Sequence, residues 1–215
     1  GFYPVALRLL ADWDGALNDL HKRFVLREGK ISIAAMPSFA SNQLPIAMRN
    51  FKNNYPEVQI TLNDVIAEEV VAIFTPLFED CFVAVLPPEH VLLKQQALKA
   101  EQLLESDFIS LQAPSVVRKV IFRELASYGL VVSPTYETHQ LATIGRMVAN
   151  GLGVSVVPSL CQEQMRELGA HCRPLLKPII RQQVGLITHR SYPLSAACQA
   201  MANTLQETFA AGFAK

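Results

Sequence analysis

The chain has 215 residues, half of them apolar, and its nineteen basic and nineteen acidic side chains cancel to a formal charge of zero. That much apolar material builds one large core or two small ones, while the balanced charge, with no basic run longer than His21-Lys22-Arg23, lacks the electrostatic footprint of a nucleic-acid surface. No apolar run approaches the roughly 20 residues of a membrane helix, and Cys81, Cys161, Cys172 and Cys198 are spaced neither as a metal knuckle nor as a secreted disulfide scaffold, so reduced thiols in the cytoplasm are expected.

The chain begins at Gly1 with no signal-peptide pattern behind it, and reads as a fragment whose natural N-terminus lies upstream. From Ala6, the residues Leu10, Trp13, Leu17, Leu20 and Phe24 recur in steps of four and three, the seam of a helix suited to a partner helix or to packing on its own domain. Ile31 to Met36 follows as an apolar run, expected to be a strand covered on both faces, and Pro37-Ser38-Phe39-Ala40 breaks it. Leu44, Met48, Phe51 and Tyr55 give the next helix its buried face, Pro56 stops it, and Val58, Ile60 and Leu62 alternate as a strand. Phe82 to Leu86 is another apolar strand, closed by Pro87-Pro88.

Beyond it, a strand is expected over Phe108 to Leu111. A helix capped by Ser115 follows, buried through Val117, Val120, Ile121 and Leu125, with Gly129 past its end. Thr135 to Glu137 reads as a short strand, Leu141, Ile144 and Val148 as one face of a helix, and Val154 to Val157 as a buried strand. A helix over Ser159 to Glu167, strands near His171 to Leu176 and Gln183 to Thr188, and a last helix using Leu194, Cys198, Met201, Leu205 and Phe209 complete an α/β alternation.

Gly151 and Gly153 superficially suggest a phosphate loop. Such a loop needs the order strand, glycine turn, helix, because the anion rests on free N–H groups at the helix start. Here the order is helix, glycines, strand, so Gly151 reads as a helix terminator and Gly153 as a tight entry into a strand. No catalytic constellation and no metal-ligand pattern appears: Ser155 falls inside a strand, and His21, His90, His139, His171 and His189 form no paired motif. Ser38, Ser115 and the pair Thr138-His139 stand out because each follows a strand and opens a helix, where open α/β sheets place small anions. For Ser115, simple helix capping is the preferred reading; His139 alone reads as an ordinary exposed residue, and Glu68-Glu69 and Glu79-Asp80 as solvated faces.

The phrases KISIAAMPS, LPIAMRNFKNNYPEVQITL, FEDCFVAVLPPEH and MVANGLGVSVVP, in this order, resemble the effector-binding domain of LysR-type transcriptional regulators. The resemblance runs from about Gly1 to Phe209. It implies a fold like periplasmic solute-binding proteins of type 2: a linker and dimerisation helix over 1–29, subdomain I over 30–82 plus 184–209, and subdomain II over 83–183, joined by crossing strands at FVAVL and VGLIT. It further implies a small-molecule co-inducer, for which the helix-start hydroxyls suit a carboxylate or other small anion, no cofactor, a homodimer or homotetramer, and DNA contact only through a helix-turn-helix domain absent from this chain. By resemblance the effector is held by Pro37, Ser38, Phe39 and Ala40, by Ser110 and Gln112, and by Thr138 and His139.

The resemblance departs at one place. Its family has a further turn and strand where VVAIFTPLFED here runs together, so either a core strand is absent or a segment near Ala72 to Phe74 is missing; unpaired groups in a sheet interior favour the second. The alternatives are a transport system's solute-binding protein, which a dimerising seam argues against, and an enzyme on the same fold, which a pocket with strongly shifted charged groups would revive.

Overall fold

The computed structural model describes residues 29–64 and 72–210; the expected helical seam of Leu10 to Phe24 and the pair Glu68-Glu69 lie outside them. The first strand, β1 (Lys30–Ala35), runs into α1 (Pro37–Asn42) and α2 (Leu44–Asn54), then β2 (Gln59–Asp64). A fifteen-residue strand, β3 (Ala72–Leu86), leads through a 3-10 turn (Val91–Lys94) to β4 (Leu98–Lys99) and α3 (Ala100–Leu103). Next come β5 (Ile109–Leu111), α4 (Val116–Ser127), β6 (Tyr136–Thr138), α5 (Leu141–Ala149) and β7 (Ser155–Pro158). A 3-10 turn (Ser159–Cys161), α6 (Gln162–Glu167), β8 (His171–Lys177), β9 (Arg181–His189) and α7 (Ala196–Ala210) finish the order.

The local chemistry is orderly. Proline at the start of α1 and again at the start of α2 removes an N–H that would have no helical partner, so Pro37 does more than break the strand. The Ser115 hydroxyl accepts from the Arg118 N–H at 3.3 Å and caps α4. Gly151 ends α5 with φ +78, and Gly153, at φ +154, lies where an added Cβ would stand 2.2 Å from the Asp107 carbonyl oxygen. That carbonyl accepts from the Val154 N–H at 2.9 Å, so Gly153 lets the chain pass close enough to dock β7.

The apolar side chains gather into two cores. One contains Ile31, Leu44, Phe51, Val58, Phe78, Val184, Met201, Leu205 and Phe209. The other contains Phe82 to Leu86, Leu98, Ile109, Ile121, Leu125, Ile144, Val154, Val157, Met165 and Ile180. Within β3 the boundary falls between Phe78 and Phe82, and all five residues of FVAVL belong to the second core. There they pair with β7 and β8, whereas β9 pairs with β3 upstream, from Ala72↔His189 to Cys81↔Arg181. Thus the two strands that join the cores run side by side at Glu79–Cys81 and Arg181–Gln183.

Three expectations need correcting. β1 is not covered on both faces: it pairs in parallel with β2, Ile31 is buried, and Ser32 and Ala34 are exposed, because among the described residues no layer lies over that face. Glu79-Asp80 is not simply a solvated face, since Asp80 is buried. Leu194 is exposed and precedes the last helix instead of anchoring it. The further turn and strand of the resembled family have no counterpart between β2 and β3 among the described residues, where the sheet of β1 stops at two strands. Among the same residues, no helix is long and apolar enough to cross a membrane.

Candidate functional site

The turn after β1 presents Pro37, Ser38, Phe39 and Ala40 as the first turn of α1. The Met36 carbonyl accepts from the N–H groups of both Phe39 and Ala40, at 3.0 and 2.9 Å, so neither amide remains for a ligand. Phe39 turns its ring inward, 5.7 Å from the Phe209 ring centroid and 6.2 Å from that of Phe78. Ala40 is buried and Pro37 exposed. What this turn can offer is Ser38, 5% exposed, whose hydroxyl has no hydrogen-bond partner among the described residues.

On the other core, β5 and β6 lie parallel in the register Ile109↔Tyr136, Ser110↔Glu137 and Leu111↔Thr138. The Gln112 N–H extends this ladder by donating to the Thr138 carbonyl at 2.8 Å. Ser110, Gln112 and Thr138 therefore come together at the C-terminal ends of two strands, the usual ligand edge of an α/β sheet, with His139 exposed one residue beyond. The Ser110 side chain is buried, donates to the Leu111 carbonyl at 3.0 Å, and has the Arg118 guanidinium 3.5 Å away.

Arg118 escaped the sequence reading. It stands in the first turn of α4, donates to the Leu111 carbonyl at 2.7 Å, forms an ion pair with Glu137, and lies 4.4 Å above the Phe122 ring centroid. The signal that could have found it is its place three residues after a capping serine that follows a strand end.

Among the described residues, no hydrogen bond joins the Ser38 turn to the Ser110–Thr138 edge directly. Instead α1 meets the turn after β7, with Asn42 Nδ2 4.0 Å from Cys161 Sγ. Beside this meeting a cavity of about 430 Å³ opens, lined by Gln43, by Phe78 to Cys81 of β3, by Ser159, Leu160 and Gln162, and by Ile179 and Arg181. None of the eight expected ligand residues lines it. At its wall the Ser159 hydroxyl donates to Asp80 Oδ1 at 2.6 Å. Burial pushes the Asp80 carboxyl above its ordinary pKa, against the pull of that hydroxyl and of N–H groups of Cys81, Leu160 and Ser159.

The chemistry of the remaining groups is quiet. Burial above all, helped by Asp80 and Cys172, pushes the Cys161 thiol up to about 12, and burial pushes Cys172 up to about 11, so both stay protonated and unreactive. Ser155 is fully buried and donates to the Ile109 carbonyl at 2.7 Å, a structural bond inside a sheet. Among the described residues, no group of three or more His, Cys, Asp or Glu side chains could hold a metal ion.

Comparison with known proteins agrees with this architecture. A family model described as the LysR substrate binding domain matches residues 72–210. The HTH-type transcriptional regulator YbhD of Escherichia coli (strain K12) is 25% identical over 219 residues, covering 91% of this chain and 68% of that protein. The transcriptional activator LysR of the same organism is 27% identical over 84% of this chain and 64% of its own length. The chain thus spans about two thirds of such relatives. Among solved structures, the effector-binding domain of QuiR in complex with shikimate is similar, with a TM-score of 0.78 and 14% identity over 86% of this chain and 99% of that one. So is the CcmR regulatory domain of Synechocystis PCC6803 in complex with 2-PG, with a TM-score of 0.76 and 15% identity over 85% of this chain and 98% of that one. The two cores joined by paired strands are the subdomains of a type 2 periplasmic-binding-protein-like fold, and the chain belongs to the LysR substrate-binding domain family, as the effector-binding part of a LysR-type regulator.

Proposed function

We propose that the chain senses a small carboxylate-bearing effector between its subdomains and passes the change in cleft geometry to DNA-binding domains. Subdomain I is assigned to 30–82 plus 184–209, subdomain II to 83–183, and residues 1–29 to a linker helix through which two copies, or two pairs of copies, associate. DNA is contacted only by a helix-turn-helix domain outside this chain, the protein works in the cytoplasm, and the domain uses no cofactor and catalyses no reaction. Effector binding would favour one relation of the subdomains over another by its differential affinity for the two.

The observation that carries this reading is the shared strand edge at which Ser110, Gln112 and Thr138 come together. Hydroxyl and amide groups at strand ends suit an oxoanion. The hydroxyl of buried Ser38, without a hydrogen-bond partner among the described residues, adds a donor from the other core, and the small-molecule complexes of the QuiR and CcmR domains support the ligand class. Thermal-shift and calorimetric titration with organic acids tests it. Binders should emerge, and Ser38→Ala and Thr138→Ala should each weaken them about tenfold, the loss of one hydrogen bond to a charged group. Binders whose affinity both variants leave unchanged would place the site elsewhere.

A further inference from the structure

We infer that Arg118 is the receptor for the effector's anionic group and that Glu137 is its built-in competitor, occupying the guanidinium until an oxoanion arrives. The inference deepens the reading above and rests on it. Arg118 is anchored three ways, to the Leu111 carbonyl, to the Ser110 hydroxyl and to Glu137, and all three bonds use the same nitrogen, Nη1. Among the described residues Nη2 and Nε have no acceptor. A guanidinium is a planar fork whose Nε–Nη2 edge matches the two oxygens of a carboxylate. Here one prong fixes the group and that edge is left for a second acceptor.

The surroundings favour an anion. The Arg118 side chain is 21% exposed, so a pair formed there is partly shielded from water, while its partner Glu137 is 41% exposed and can swing into solvent at little cost. The Phe122 ring, 4.4 Å from the guanidinium carbon, adds a cation–π contact that helps hold the group in place. The head of α4, with its capping Ser115, adds N–H groups of the same sign. All of this stands at the ends of β5 and β6, beside Ser110, Gln112 and Thr138. Carboxylate and phosphate share the required chemistry; the planar carboxylate matches the fork more closely.

The experiment is nuclear magnetic resonance of arginine side-chain N–H groups in the 215-residue chain. Succinate, inorganic phosphate and neutral succinamide are titrated in turn. The Arg118 Nε–H signal, assigned through its own backbone, should move with succinate, less with phosphate, and not with succinamide. In Glu137→Gln the succinate response should saturate at a severalfold lower concentration. Arg118→Lys, which keeps the charge and loses the fork, should weaken succinate about ten- to a hundredfold without lowering the melting temperature to match. A signal that ignores both anions, or moves equally with succinamide, overturns the inference. The two readings separate cleanly: an organic acid whose affinity depends on Ser38 and Thr138 but not on Arg118 or Glu137 sinks this inference alone. Dependence on Arg118 without Ser38 or Thr138 keeps it and sinks the site proposed above.

Discussion

The two cores are built from unequal material. The second comes from one continuous run, Phe82 to Ile180, in which β3 is flanked by β7 and β8 and Ile109, Val154 and Val157 are completely buried. The first is assembled from distant pieces, with Ile31, Phe51 and Val58 on one side and Val184, Leu205 and Phe209 on the other, and its β1–β2 pair leaves Ser32 and Ala34 exposed. Bringing distant pieces together costs loop-closure entropy, and here the second core supplies the closure by holding β3 and β9 side by side. The first core therefore depends on the second more than the reverse.

Paired truncations test that asymmetry. Ile144→Ala and Leu205→Ala each remove a buried aliphatic side chain, and each should cost about 3 kcal/mol. Their hydrogen-exchange patterns should differ: Leu205→Ala should expose β1, β2 and α2 while β5 to β7 keep their protection, whereas Ile144→Ala should raise exchange in both cores. If Leu205→Ala loosened β5 and β7 as much as β1, the two cores would be one cooperative unit.

Glycines at the edge of the second core give the next effect. Gly153→Ala drives a Cβ into the Asp107 carbonyl from a backbone angle that side-chain residues avoid, and should cost about 3 kcal/mol in urea unfolding. Gly151→Ala meets nothing within 4 Å and should cost only about 1 kcal/mol, from its positive φ alone. Equal losses would mean that the close approach at Gly153 relaxes easily.

Much of this is legible in the sequence, for reasons that vary by residue. The order of helix, Gly151, Gly153 and strand follows from local backbone chemistry, and the Ser115 cap from the side chain's own reach. Buried faces such as Leu141, Ile144 and Val148 follow from helical spacing. Arg118 was not legible, because its partners Leu111 and Glu137 are joined to it only by the parallel pairing of β5 with β6. Nor was the open face of β1, whose apolar sequence fits a fully covered strand equally well. Asp80 misled for a related reason: acidic neighbours in sequence need not share an environment when strand alternation turns one outward, to Arg181, and the next inward, to Ser159.

Ser115 separates capping from ligand binding on the same residue. Its hydroxyl accepts from the Arg118 N–H, so Ser115→Ala should cost about 1 kcal/mol of stability. The second core should absorb that loss without change in fold. If organic-acid affinity fell while the melting temperature held, the hydroxyl would belong to the ligand and not to the helix.

The subtlest effect is a slope with pH at the seam between the cores, where Asp80 on β3 meets Ser159 from the second core. Burial raises the Asp80 pKa above its ordinary 3.8, so between that value and the raised one the folded chain holds a proton that the unfolded chain has released. Stability then falls as pH rises through this window. The contribution is greatest below the unfolded value and is lost once the folded carboxyl ionises. Asp80→Asn removes the titration, so the stability of wild type relative to the variant, from urea midpoints, should decline from about pH 4 upward and then level off. The opposite slope would mean that the Ser159 hydroxyl and the three N–H groups outweigh burial. Asp80 would then be a charged clamp between the cores, and the dependence of the first core on the second would run through that carboxylate as well as through the paired strands.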